Sequence, residues 1–511
     1  MNAQIANLGS VIGRDSPGER LAFIGLDSQL NESRCTYREL DELANGIACA
    51  LLARGFVQGE RIALLTFNSV ACIAAVLGIM RAGLVAVPVN HRFPRTLIDY
   101  VIADSGARLL FCDAPHRDAA PDMPRVSLEA DELAAFAQRG PLQAFQPLGD
   151  EPAMMLYTSG STGKPKGVVL SHRAHLWIVR TRLQATPLAD ERALIAAPLY
   201  HMNALALALL VLASGATAIL LPQFSAVTYI EAIQRYRCTW LTAVPPMIAM
   251  MLREQALLER ADLSSVRVVR MGSAPVSASL LEQIHRLLPN ARIINAYGTT
   301  EGGPVVFGAH PQGLASPVLS VGHAHPDVQL RLRDEAGLLA DEGVLELKSP
   351  GLMSGYHNRP DLAAPFTADG FYVTGDVFRR DADGFHTFVG RRDDMFVSGG
   401  ENIYPGEVEK LLERHPAVQQ ACVVPVEDEI KGFKPMAFVV RRQGSQVSEA
   451  EIKAFTLEHA PAYQHPRRVW FVDTLPLAST HKIDRKALLD KARQNLQNSG
   501  RTTGALERQP I

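Results

Sequence analysis

The chain holds only six cysteines, and none of them stands in a C-x-x-C pair. That spacing excludes a disulfide framework and the usual zinc sites, and it points to buried thiols in a reducing compartment. No excess of either charge is present: 51 Lys and Arg face 53 Asp and Glu, a formal net charge of −2. Without a general basic field, nucleic acid is not an expected partner. No basic start precedes an apolar run, so no signal peptide is read and a cytoplasmic location is expected. Repeats and low-complexity tracts are missing as well. One apolar run, 204–221, approaches membrane length, but Ser214 and Gly215 interrupt it. The reading there is a buried helix to about Ala213, a glycine stop and a strand over 217–221, with no integral membrane segment.

What is present fits a soluble protein of more than one domain: 511 residues, 47% apolar and 20% charged. From about residue 35 to 300, apolar β-like runs alternate with helix-period segments. Strands are expected at 62–67, 84–89, 108–112, 193–196, 240–244 and 266–271, with a helix over 70–81. Alternation of this kind implies parallel sheets covered by helices. After about residue 315 shorter strands and turns, at 328–333, 343–348, 370–373 and 384–389, suggest a β-rich subdomain. The charged turn G-R-R-D-D at Gly390–Asp394 marks a break, and a compact αβ pattern of about a hundred residues follows it. The fold class is thus α/β. It comprises a large N-terminal domain (1–392) of helix-covered sheets plus the β-rich subdomain, and a small mobile α+β C-terminal domain (394–493). A polar, frayed tail (494–511) is expected to end the chain.

The most informative stretch is Thr158–Gly167, T-S-G-S-T-G-K-P-K-G. Its glycines allow tight turns and close backbone approach, and its consecutive N–H groups can cradle an anion. Hydroxyls and two lysines add donors for phosphate oxygens. Apolar runs on either side predict two strands joined by a loop that closes over a polyphosphate. The common phosphate loop is not matched, because Pro165 follows Lys164 where a hydroxyl should stand.

Four further stretches carry chemistry. A-Y-G-T-T-E at Ala296–Glu301 offers an aromatic face, two hydroxyls and a hard carboxylate suited to Mg²⁺. G-F-Y-V-T-G-D at Gly370–Asp376 ends in a carboxylate able to accept both hydroxyls of a ribose, and the nearby Arg391 can reach the same sugar. S-G-G-E-N-I-Y-P-G-E-V-E at Ser398–Glu409 permits close approach and opens a helix. P-L-A-S-T-H-K-I-D-R at Pro476–Arg485 presents Lys482 on a loop. Each motif alone has an ordinary structural reading: a turn, a helix cap, a hairpin, a solvated lysine.

Together and in this order, the five stretches resemble the adenylate-forming superfamily, in its acyl- and aryl-CoA synthetase (AMP-forming) branch, over about residues 30–490. The resemblance implies an enzyme that joins a carboxylic acid, fatty or aromatic, to ATP as acyl-AMP with release of pyrophosphate, then transfers the acyl group to coenzyme A. It implies that Thr158, Ser159, Gly160, Ser161, Thr162, Gly163 and Lys166 grip the β- and γ-phosphates. Gly272, Ser273, Ala274 and Pro275, with Asn295, Tyr297, Gly298 and Thr299, line the nucleotide site; Asp376 and Arg391 hold the ribose. Lys482 bridges carboxylate and α-phosphate, with Thr300, Glu301 and His201 as further catalytic groups. Glu301 and Thr158 are the implied Mg²⁺ ligands. His201, Met202, Met271, Gly302 and Gly303 form the acyl pocket, Asp393 is the hinge, and Gly399 and Gly400 flank the thiol channel.

Two positions depart from the family pattern: His481 stands before the late lysine and Phe378 follows T-G-D, both where glycine is common. Arg270 also stands out at the end of an apolar strand. It either binds the second carboxylate of a diacid or, as is usual for a lone charge, turns away into an ion pair. A stand-alone enzyme loading a carrier protein, or a non-catalytic nucleotide-binding relative, remains an alternative. A homodimer is allowed.

Overall fold

The computed structural model describes residues 5–12, 18–27, 29–119, 121–158, 164–360, 365–398, 401–429, 431–478 and 482–504. Two seven-stranded sheets dominate the N-terminal part. In one, Arg292–Asn295, Val268–Met271, Trp240–Ala243, Arg192–Ile195, Thr217–Leu220 and Leu21–Leu26 run parallel, and Glu32–Thr36 closes the edge antiparallel. In the other, Pro152–Thr158, Val85–Pro88, Arg61–Leu65, Ala107–Cys112 and Arg125–Ser127 are parallel, with Lys166–Ser171 and Gly355–Tyr356 added antiparallel. Buried strands of this kind read as continuous apolar runs, which is why the sequence shows them.

The helices that cover these sheets are unusually apolar. Val70–Arg81 is capped by Ser69 and has ten buried residues. Met202–Ser214 has ten as well and stops at Gly215 in the left-handed conformation. Among the described residues, no helix is long and apolar enough to cross a membrane. One contiguous core joins both sheets through these helices.

A six-stranded antiparallel sheet follows, in the order Phe307–Gly308, Ser320–Ala324, Phe385–Arg391, Tyr372–Arg380, Glu342–Lys348, Gln329–Arg333. It is the β-rich unit expected after residue 315. Beyond the short 3₁₀ turn Arg392–Asp394, the last sheet pairs Val418–Asp428 with Gly432–Arg441 over ten register positions. Helices Pro405–Leu412 and Glu449–His459 bury Val408, Leu412 and Ile452 on one face. Leu488 and Ala492 of helix Arg485–Gly504 pack on the other. That last helix runs to Gly504, past residue 494 where a frayed tail was expected, and Leu496 packs against the sheet there.

Candidate active site

The phosphate-loop motif lies between strands Pro152–Thr158 and Lys166–Ser171, which pair antiparallel so that Thr158 faces Lys166. Two flanking strands were the expectation. Ser159, Gly160, Ser161, Thr162 and Gly163 fall outside the described residues, as do Gly399, Gly400 and His481. The Lys166 ammonium stands 5.1 Å from the ring centroid of Tyr356. The Tyr356 hydroxyl in turn donates to Glu301 Oε1 at 3.0 Å. Tyr356 therefore ties the loop's base to the carboxylate of the second motif, a link that no local sequence signal announced.

Gly272–Pro275 follows strand Val268–Met271, with Ser273 at φ +67°, a strained value for a residue with a side chain. Gly298 has no room for a side chain: a Cβ there would sit 2.7 Å from Pro304 Cα. Asn295 is fixed by donating to Leu319 O at 3.0 Å. The Tyr297 hydroxyl donates to Asp376 Oδ2 at 2.5 Å. Phe378 is fully buried and meets the Tyr297 ring edge-on at 4.8 Å. A glycine at 378 would remove that brace, so the departure from the family pattern has a packing reason.

Asp376 is 4% exposed and faces Arg391 across the antiparallel pair, with Arg391 Nη1 at 3.2 Å from Oδ1. Burial pushes its carboxyl up from the ordinary range; Arg391, Tyr297 and Lys482 act against that push. Gly375, beside it in strand Tyr372–Arg380, holds φ +75°, a backbone conformation that glycine takes readily. Arg391 also lies 3.7 Å from Asp393.

Lys482 reaches the same place from the other end of the chain. A small hairpin carries it: Ala478 N–H donates to Lys482 O at 2.7 Å and Asp484 N–H to Pro476 O at 2.8 Å. Protein walls surround the ammonium and pull it below the usual lysine range, while Asp376, Glu301 and Asp394 hold it up and Arg391 adds to the fall. The Lys482 side chain is itself exposed to the cleft. The hairpin is anchored by Arg485, which grips Glu409 bidentately at 2.5 and 2.7 Å and donates to Val423 O at 3.0 Å.

These groups line one cleft of about 1050 Å³ between the N- and C-terminal parts. Of the expected residues, Thr158, Lys166, His201, Met202, Gly272–Pro275, Asn295, Tyr297–Glu301, Asp376, Arg391, Asp393 and Lys482 all border it. Met271, Gly302 and Gly303 do not. Met271 is fully buried in the core, and Gly302 donates its N–H to Thr299 Oγ1 at 2.8 Å. Arg270, not Met271, borders the cleft, and among the described residues it forms no ion pair. The expected turn into an ion pair is thus overturned. His201 occupies the N-cap position of helix Met202–Ser214 without a side-chain capping bond and meets Tyr200 edge-on at 4.5 Å.

The two parts touch beyond the cleft. Lys410 Nζ donates to Phe388 O at 2.6 Å, Asn402 Nδ2 to Glu335 Oε1 at 2.7 Å, and Arg442 to the Ser279 hydroxyl. Glu413 lies in this seam, accepts from Ala421 N–H at 3.1 Å, and is pushed up to about 7 by burial, with Ser277 pulling the other way.

Comparison with known proteins agrees with this geometry. The family model for the AMP-binding enzyme matches residues 13–357, and that for the AMP-binding enzyme C-terminal domain matches 407–482. A feruloyl-CoA synthase from Amycolatopsis sp. is 35% identical over 457 residues, covering 88% of this chain and 92% of that one. A fatty acid–[acyl-carrier-protein] ligase, ScoC, from Streptomyces coeruleorubidus is 32% identical, covering 89% and 91%. ATP-bound MatB from Rhodopseudomonas palustris superposes with a TM-score of 0.85 at 28% identity, covering 95% and 98%. The chain belongs to the adenylate-forming superfamily, in its AMP-forming acyl- and aryl-CoA ligase branch.

Proposed function

We propose that the cleft performs both half-reactions of an ATP-dependent acid–thiol ligase with the following division of labour. Thr158 and Lys166, with the loop between them, bind the β- and γ-phosphates. Gly272–Pro275 and Tyr297 enclose the adenine, and Asp376 with Arg391 holds the ribose hydroxyls. A carboxylate oxygen of the acid attacks the α-phosphorus, the bond to the β-phosphate oxygen breaks, and pyrophosphate leaves. Lys482 lies between the two anions. At about 4 Å and an effective permittivity near 20, one such contact is worth roughly 4 kcal/mol before desolvation. Positioned donors of this type contribute about 10²–10³ in rate. Then the thiolate of coenzyme A attacks the acyl carbon and AMP departs.

The observation that supports this reading best is the meeting of Lys482 with Asp376 and Glu301, residues more than a hundred positions earlier in the chain, in one cleft. The Glu301 carboxylate keeps one oxygen beyond its Tyr356 bond, which suits Mg²⁺, a cation held by one or two carboxylates plus substrate phosphates. Bound there, the ion would neutralise phosphate charge. Asp393 acts as hinge: a few φ/ψ changes at Arg392–Asp394 swing the C-terminal part and withdraw Lys482 before the thiol step. The enzyme is cytoplasmic in this reading.

Likeness to the acyl-carrier-protein ligase favours one second reading, in which the thiol belongs to a carrier protein. Purified enzyme is given ATP, magnesium and a panel of carboxylic acids. Acid-dependent pyrophosphate exchange, followed by AMP release that needs coenzyme A, is expected. Exchange without coenzyme A-dependent release would favour the carrier; no exchange with any acid would overturn the reading.

A further inference from the structure

Arg270 occupies a costly position. Its strand lies between Trp240–Ala243 and Arg292–Asn295, and its strand neighbours Val268, Val269 and Met271 are at most 6% exposed. Arg270 itself is half-buried there, and a guanidinium partly withdrawn from water is unfavourable unless an anion meets it. The protein solves that problem elsewhere. Arg81, 3% exposed, donates to Gly9 O, Asn45 Oδ1 and Asp41 Oδ1, each at 2.7 Å. Arg485 has both oxygens of Glu409.

Arg270 has no such partner among the described residues. Burial alone acts on its charge, pulling it down to about 10, and no carboxylate holds it up. A second cation makes the position worse. Arg182, on helix His172–Ala185, lies within electrostatic reach of Arg270, is itself depressed by burial and by that guanidinium, and also lacks an acid. Apolar side chains, Val244, Pro246, Met247 and Leu252 among them, line the same cleft. Arg270, which borders the cleft and has no acidic partner among the described residues, forms with Arg182 behind it a site for an anion. Charge-assisted bonds to a carboxylate are the strongest this donor makes.

We propose that Arg270, backed by Arg182, receives a second carboxylate at the far end of the acid substrate, so that the enzyme activates dicarboxylic acids whose other carboxylate meets Lys482. This rests on the ligase reading above and names its substrate class. The apolar lining between the two cations selects acids with a hydrocarbon body, aliphatic or aromatic, between two charged ends.

Pyrophosphate exchange with matched acid pairs tests it: hexanoate against adipate, 4-methylbenzoate against terephthalate, each mono- and dicarboxylate sharing one carbon skeleton. In the wild-type enzyme at least one dicarboxylate should exceed its monoacid partner in kcat/KM by roughly 30-fold or more. Arg270→Leu should collapse that ratio, while Arg270→Lys should keep part of it. The KM for ATP should change less than threefold in both variants. Should Arg270→Leu fail to fold, the wild-type ratio and Arg182→Leu, which should also lower it, decide the matter. Monoacids as the better substrates in every pair would overturn the proposal while leaving the ligase reading intact. A large rise in ATP KM for all acids alike would assign Arg270 to the nucleotide and overturn it too. Absence of exchange with any acid would instead strike the ligase reading.

Discussion

Replacing Glu409 by glutamine leaves the size of the side chain unchanged and removes the charge that holds Arg485. Glu409 is 8% exposed, and the Arg485 side chain keeps 32% of its surface in solvent. Breaking a buried ion pair by removing one partner costs about 3–5 kcal/mol, because the other charge is left uncompensated. Partial exposure of Arg485 and its remaining bond to Val423 O place this case at the low end, about 3 kcal/mol. Arg485 follows the Lys482 hairpin by three residues and starts the helix that packs under the C-terminal sheet. The loss therefore falls on the placement of Lys482. A change of about 3 kcal/mol corresponds to roughly a hundred-fold, so acid-dependent pyrophosphate exchange in Glu409→Gln should fall by up to that factor. Thioester formation from supplied acyl-AMP, for which the proposed mechanism withdraws Lys482, should fall less than threefold. Denaturant unfolding of the same variant should show the stability loss. Glu409→Gln combined with Arg485→Met should recover part of it, since removing both partners of such a pair is often near neutral. Additive losses in the double variant, or equal damage to both half-reactions, would refute the anchoring argument.

Asp376→Asn should raise the KM for ATP by roughly 10- to 100-fold, as hydrogen bonds to a charged group are worth about 1.5–3 kcal/mol, with little change in the KM of the acid; initial-rate kinetics decide it. Glu413 gives a pH dependence. Its carboxyl is raised from 4.5 to about 7 by burial in the seam, so the closed arrangement holds a proton that an opened one releases. The stabilisation is complete below about pH 4.5 and is lost as pH rises through 7. The ratio of pyrophosphate exchange to thioester formation should fall between pH 6 and 8, and Glu413→Gln should flatten the profile. An unchanged profile in that variant would remove Glu413 from the seam's energetics.

Much of this architecture was legible because its strands are buried on both faces and therefore read as unbroken apolar runs. Helix 70–81 was read to the residue, since Ser69 caps it and Gly83 follows it. That the residues expected at the nucleotide would border one cleft was legible through glycine spacing, which records where backbone approaches closely. Contacts made by side chains distant in sequence were not. Nothing local to Tyr356 announces its bond to Glu301, and nothing near Arg485 announces Glu409. Met271 was expected at the acyl pocket, but strand alternation buries it and turns its neighbour Arg270 to the cleft wall. The usual fate of a lone arginine, an ion pair, failed here because among the described residues no acidic side chain lies beside it.

The central claim is that one ammonium, delivered by the C-terminal hairpin, allows two anions to react over the nucleotide site. Lys482→Ala, assayed separately for pyrophosphate exchange and for thioester formation from chemically prepared acyl-AMP, tests it most directly. Loss of exchange by about 10²-fold or more, with thioester formation largely retained, is the expected result. Equal loss of both half-reactions, or exchange at the wild-type rate, would contradict it.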